Sequence, residues 1–95
     1  MEITTLMKRV HLLITGEVTR VGFRFAAVGH ARNLGLTGWV RNTENKEVEI
    51  VAEGSKEKID KLIALAWEGP PLARVEKVNV EWEEVKEEFG EFKIL

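Results

Sequence analysis

At 95 residues the chain has room for one domain and a single core. It contains no cysteine, which excludes disulfides, thiolate nucleophiles and cysteine-based metal sites and fits a reducing compartment. A net charge of −2 argues against a general nucleic-acid binder. The charge is unevenly spread, with six Lys/Arg against two acids in residues 1–43 and eight against fourteen in residues 44–95. The positive half suits a small anionic substrate, and the acidic half reads as a solubilising surface. The apolar run Val10 to Ile14 is too short for a secretory signal, and nothing reaches the roughly 20 residues of a membrane-spanning helix. A cytoplasmic location with no membrane partner is therefore expected.

Residues 1–8 are polar and unpatterned and are expected to form a flexible N-terminal arm, with the folded domain over 9–95. Val10, Leu12 and Ile14 alternate with polar neighbours, the signature of a half-buried strand. A helix follows over about 24–34, with Ala27, Ala31 and Leu34 on one face and Gly35 placed for a left-handed C-terminal cap. Trp39 to Asn42 reads as a second strand. Val48, Ile50 and Ala52 mark a third, alternating with Glu47, Glu49 and Glu53, and Asn45-Lys46 forms the turn between the two. Ser55 caps a second helix whose apolar stripe is Ile59, Leu62, Ile63, Ala66 and Trp67, closed by Gly69 and Pro70-Pro71. Val78, Val80 and Trp82 alternate in a fourth strand, and Phe92 to Ile94 forms a short closing one. The order βαββαβ defines an α+β sandwich of ferredoxin-like type, with two helices on one face of an antiparallel sheet.

The stretch with the most chemistry is Gly16-Glu17-Val18-Thr19-Arg20-Val21-Gly22-Phe23-Arg24, where the first strand runs through a short loop into a helix. Such a junction aims backbone N–H groups at one spot with a helix N-terminus behind them. Arg24 adds a planar fork of donors suited to phosphate oxygens. Taken alone, a glycine-containing turn of this kind is common. One helix later comes Gly35-Leu36-Thr37-Gly38-Trp39-Val40-Arg41-Asn42, then Val48-Glu49, Glu53-Gly54, Gly69-Pro70-Pro71-Leu72-Ala73-Arg74-Val75 and Phe92-Lys93-Ile94. In this order the segments resemble the acylphosphatase family, over about residues 8–95.

The resemblance implies the same fold and an enzyme that hydrolyses the carboxyl–phosphate anhydride of small acyl phosphates without metal, cofactor or covalent nucleophile. It implies that the backbone of Thr19, Arg20, Val21, Gly22, Phe23 and Arg24 cradles the phosphoryl group. Arg24 would be the charged ligand, Asn42 would orient the attacking water, and inorganic phosphate would be product and inhibitor. The residue types make sense, since Asn42 offers a donor and an acceptor at one tip where a carboxylate would repel the phosphate. The chain departs from the family's Gln-Gly at Thr19-Arg20. A glycine there signals positive φ, which would cost Arg20 about 1 kcal/mol. Either Arg20 accepts that strain, the loop relaxes and misaims a donor, or Arg20 supplies a second cation.

Other residues read as structural. His11 and His30 lack partners at metal-binding spacing, and Arg41 should face away from Asn42 across the strand. Trp67 belongs to the core stripe, Trp82 packs in the sheet, and Glu83, Glu84, Glu87 and Glu88 form a solvated turn. The run Arg20-Val21-Gly22-Phe23-Arg24-Phe25 faintly resembles an RNA-recognition signature, but it enters a helix, and Glu49 and Glu53 on the third strand would repel RNA. No nucleic-acid partner is expected, and a monomer is. The alternative to the enzyme is a catalytically weak or silent phosphate-binding or interaction module on the same scaffold.

Overall fold

A computed structural model describes residues 6–95. Its elements are β1 (Met7–Glu17), α1 (Phe23–Asn33), β2 (Thr37–Asn42), β3 (Val48–Ser55), α2 (Lys56–Glu68), β4 (Arg74–Glu83) and β5 (Phe92–Ile94). The sheet runs β4-β1-β3-β2-β5, with antiparallel pairs throughout except for β5, which joins parallel to β2. This is the ferredoxin-like order with one short strand added at the edge. Met7 and Lys8 already pair within β1, so the strand starts two residues ahead of its expected position. The rest of the expected arm falls largely on residues 1–5, outside the described residues.

Strand alternation builds the core. Val10, Leu12 and Ile14 of β1, Val40 of β2, and Val48, Ile50 and Ala52 of β3 turn one way and are fully buried. Phe23, Ala27 and Ala31 of α1 and Ile59, Leu62 and Ala66 of α2 close over them in one apolar cluster. Ser55 caps α2 as expected, its Oγ accepting from the Lys58 N–H at 3.3 Å. Trp67, by contrast, is about half exposed and lies outside the core. At 100° per residue it sits about 110° from the centre of the face formed by Ile59, Leu62 and Ala66, beyond the sheet's reach. Val80 and Trp82 point to the helix side but are 40% and 44% exposed, because β4 is an edge strand with a neighbour on one side only. Only Val78 of that strand is buried.

The opposite face of the sheet departs most from expectation. Glu53 is 1% exposed and Arg9 7%, and they pair at 3.3 Å. The residues after β4 keep Glu84, Glu87 and Glu88 exposed, as expected, but they do more than turn in solvent. They fold back over this pair, with Glu83 and Glu88 joining Arg9 at 3.0 and 2.9 Å. The N–H groups of Lys86 and Glu87 donate to Glu53 at 2.8 and 3.1 Å. Glu53→Ala would strip these amides and Arg9 of a shared acceptor. It is expected to lower the unfolding free energy by about 3 kcal/mol, the scale for breaking a buried ion pair. Urea unfolding measures this, and Glu53→Gln, which keeps one acceptor oxygen, should lose less.

Candidate active site

The end of β1 positions everything that follows. Opposite Thr15 and Gly16 the pairing with β4 slips by one residue. At Gly16 (φ 125) a Cβ would stand 2.1 Å from the Arg74 carbonyl oxygen, so only glycine allows the strands this close. The loop that leaves the sheet is pinned at both ends by core side chains, Val18 at 1% and Phe23 at 4% exposure. Between them Arg20 takes φ 62 and Gly22 φ 79, with Val21 at ordinary φ. Alternating handedness of this kind makes an anion-sized concavity of N–H groups. Arg20 therefore does adopt the left-handed conformation that a glycine would favour, and the loop has not relaxed away from it.

Gly22 is also the N-cap of α1, with no side-chain cap and no acidic residue in the first turn. The Ala26 N–H is taken by the Gly22 carbonyl at 3.0 Å, but the N–H groups of residues 19–25 find no protein acceptor among the described residues. Seven consecutive free donors, backed by the positive end of an 11-residue helix, constitute an electropositive site.

Asn42 arrives from the other side of the fold, as the last residue of β2, paired with Val48. Its neighbour Arg41 faces the opposite side, bound to Glu49 at 2.6 Å and stacked 5.5 Å from the Trp39 ring centre. His11 holds the other Glu49 oxygen at 2.6 Å. Burial pushes the Glu49 pKa up, but the bonds from His11 and Arg41 outweigh it and leave the carboxyl below its usual value.

Val18, Arg20, Gly22, Phe23, Arg24, Phe25 and Asn42 line one depression of about 50 Å³. Several waters, each needing about 10–15 Å³, or one small oxyanion would fill it. Of the residues expected at the site, Arg20, Gly22, Phe23, Arg24 and Asn42 meet there, while Thr19 and Val21 do not reach its lining. Val18 and Phe25 were not anticipated. Val18 looks like any strand-end apolar residue, but Phe25 carries a readable signal, an aromatic on the polar side of an amphipathic helix. No carboxylate, imidazole or thiol lines the depression. Among the described residues the arginines in ion pairs are Arg9, Arg32 and Arg41; of the remaining three, Arg20 and Arg24 line the depression and Arg74 does not. The arrangement can hold an oxyanion and place a polar amide beside it.

The chain is thus a small ferredoxin-like α+β domain in which the β1–α1 junction and the asparagine ending the second strand line one depression. The sequence profile of acylphosphatases matches residues 10–94. An acylphosphatase of Methylococcus capsulatus is 51% identical over 94% of this chain and 97% of its own length. One from Thermococcus kodakarensis is 54% identical over 82% of this chain and 88% of its own. The solved acylphosphatase of Coxiella burnetii superposes with a TM-score of 0.89 at 37% identity, covering 94% of this chain and 93% of that one. The chain belongs to the acylphosphatase family, hydrolases that act on acyl phosphates.

Proposed function

We propose that the depression at the β1–α1 junction is the catalytic centre, and that it works by placing water against a held phosphoryl group. The free N–H groups of Arg20, Gly22, Phe23 and Arg24, which line the depression, and the Arg24 guanidinium grip the phosphoryl oxygens. The grip tightens as charge spreads over them in the transition state. Asn42 accepts a hydrogen bond from water and fixes its lone pair toward phosphorus. The water oxygen forms the new P–O bond as the bond to the acyl oxygen breaks. The leaving carboxylate takes the bonding electrons, and the water's protons pass to the phosphate formed and to solvent. Because the anhydride is already activated, positioning and charge stabilisation are sufficient, with no metal or covalent intermediate.

The observation that carries this reading is that residues with unpartnered N–H groups (Arg20, Gly22, Phe23 and Arg24) line the same depression as Asn42. Hydrolysis of acetyl phosphate with and without a chelator tests it. Equal rates in both conditions, with competitive inhibition by inorganic phosphate, are expected; a rate abolished by the chelator overturns it. We further place the protein in the cytoplasm as a monomer. The cysteine-free composition supports the location, and no helix among the described residues is long and apolar enough to cross a membrane.

Arg20 enters this scheme as a second cation held in a strained conformation. Arg20→Gly relieves about 1 kcal/mol of left-handed strain but loosens the unfolded chain by about 0.4–1 kcal/mol, so the melting temperature should barely move. Inhibition by phosphate should weaken, more so at low ionic strength where the charge is least screened. Higher turnover with unchanged inhibition would mean that strain alone matters. Unchanged kinetics throughout would make Arg20 a solvated side chain.

A further inference from the structure

The substrate of such a site has two ends, and the depression accounts for one. With the phosphoryl head in the depression beside Arg24 and Asn42, the acyl group extends toward the exposed part of its lining. The exposed lining residues there are Arg20, Gly22, Arg24 and Phe25, and Phe25 alone among them is apolar. Its side is the wrong one for a core residue. On α1 the buried face carries Phe23, Ala27 and Ala31, whereas Phe25 is 81% exposed, half a turn away. A large ring left in water beside a polar cradle gains by being covered, and the molecule that reaches this point is the substrate itself.

We propose that Phe25 is the specificity-determining residue of this enzyme, a platform for the acyl group that selects aromatic acyl phosphates over acetyl phosphate. The proposal rests on the assignment of the phosphoryl group to the cradle with Arg24. A planar ring on the acyl carbon can stack on Phe25 while the phosphoryl group stays on the N–H donors; a methyl group is too short to cover it. The contact lies away from the reacting phosphorus, so it is made equally in the ground and transition states. Its signature is therefore a change in KM with kcat held.

Steady-state kinetics of Phe25→Ser on benzoyl and acetyl phosphate tests this. The KM for benzoyl phosphate should rise about tenfold, as expected for losing one aromatic stack. The loss should be selective: the ratio of kcat/KM on benzoyl phosphate to that on acetyl phosphate should fall by about the same factor, carried by KM. Phe25→Trp, which keeps a platform, should retain the benzoyl preference. Equal losses on both substrates would overturn the proposal by making Phe25 part of the phosphoryl grip, and no change on either would reduce it to a surface ring. Arg24→Ala in the same assays separates the two levels. If it retains full turnover and phosphate inhibition, the cradle assignment fails, whatever Phe25→Ser does. If it loses them while Phe25→Ser shows no selectivity change, only the platform fails.

Discussion

Arg24→Ala is expected to abolish turnover and inhibition by inorganic phosphate together. Arg24 stands in the first turn of α1, is exposed, and belongs to none of the ion pairs among the described residues, so its removal leaves no buried charge behind. Its loss should thus leave stability within about 0.5 kcal/mol of the parent, as for other surface changes. The kinetic loss should be large, about 10³-fold or more, because a guanidinium on a transferring phosphoryl group acts where charge is redistributed. Arg24→Lys restores the charge but not the planar fork, and should recover only part of the activity. Hydrolysis rates and phosphate inhibition constants, measured beside a thermal melt, distinguish these outcomes. Retained turnover in Arg24→Ala would move the key cation to Arg20, the other uncommitted arginine in the lining.

How far the fold could be read in advance depended on what covers each strand. β1 and β3 each have one side under helices, so the alternation of Val10, Leu12 and Ile14 with polar neighbours maps directly onto burial. The same alternation says nothing about the other side. Glu53 obeys the pattern and yet is buried, because residues 86 and 87 return across it from beyond β4. That return depends on contacts between segments far apart in the chain, which no local pattern encodes. Trp67 and Trp82 fail for the complementary reason. Each continues a correct periodicity past the point where a neighbouring layer exists to bury it.

The candidate site was legible where backbone geometry is written into residue type. Gly35 does occupy its expected left-handed position, and Arg24 and Asn42, distant in sequence, do line the same depression. Arg20 was ambiguous because the sequence cannot weigh about 1 kcal/mol of strain against the rest of the loop. With Val18 and Phe23 anchored in the core on either side, the loop's path is imposed from outside, and Arg20 accepts φ 62. Thr19 and Val21 belong to the cradle by motif, but their backbone and side chains do not form its lining. Phe25 stood out only as part of an aromatic run; its exposure beside the depression is a property of the helix's rotation.

Asn42→Ala should separate chemistry from binding. The backbone of Asn42 pairs with Val48 at the end of the β2–β3 ladder, and this pairing does not need the side chain. The hairpin beyond is closed independently, by the Thr43 N–H on the Glu47 carbonyl at 2.8 Å and by the Asn45 and Glu47 N–H groups on the Thr43 hydroxyl at 3.2 Å. The truncation therefore leaves the fold and the cradle in place. If Asn42 orients the attacking water, kcat should fall by about 10²–10³, corresponding to about 2.7–4 kcal/mol for one preorganised polar contact. The inhibition constant for inorganic phosphate should stay nearly unchanged, because the proposed mechanism assigns phosphate to Arg24 and the loop N–H groups. Asn42→Asp should be at least as impaired, since a carboxylate beside the phosphoryl oxygens adds repulsion to the lost donor. An equal loss of phosphate affinity in Asn42→Ala would place Asn42 in the phosphoryl grip instead, and the water would then have to be oriented by the loop itself.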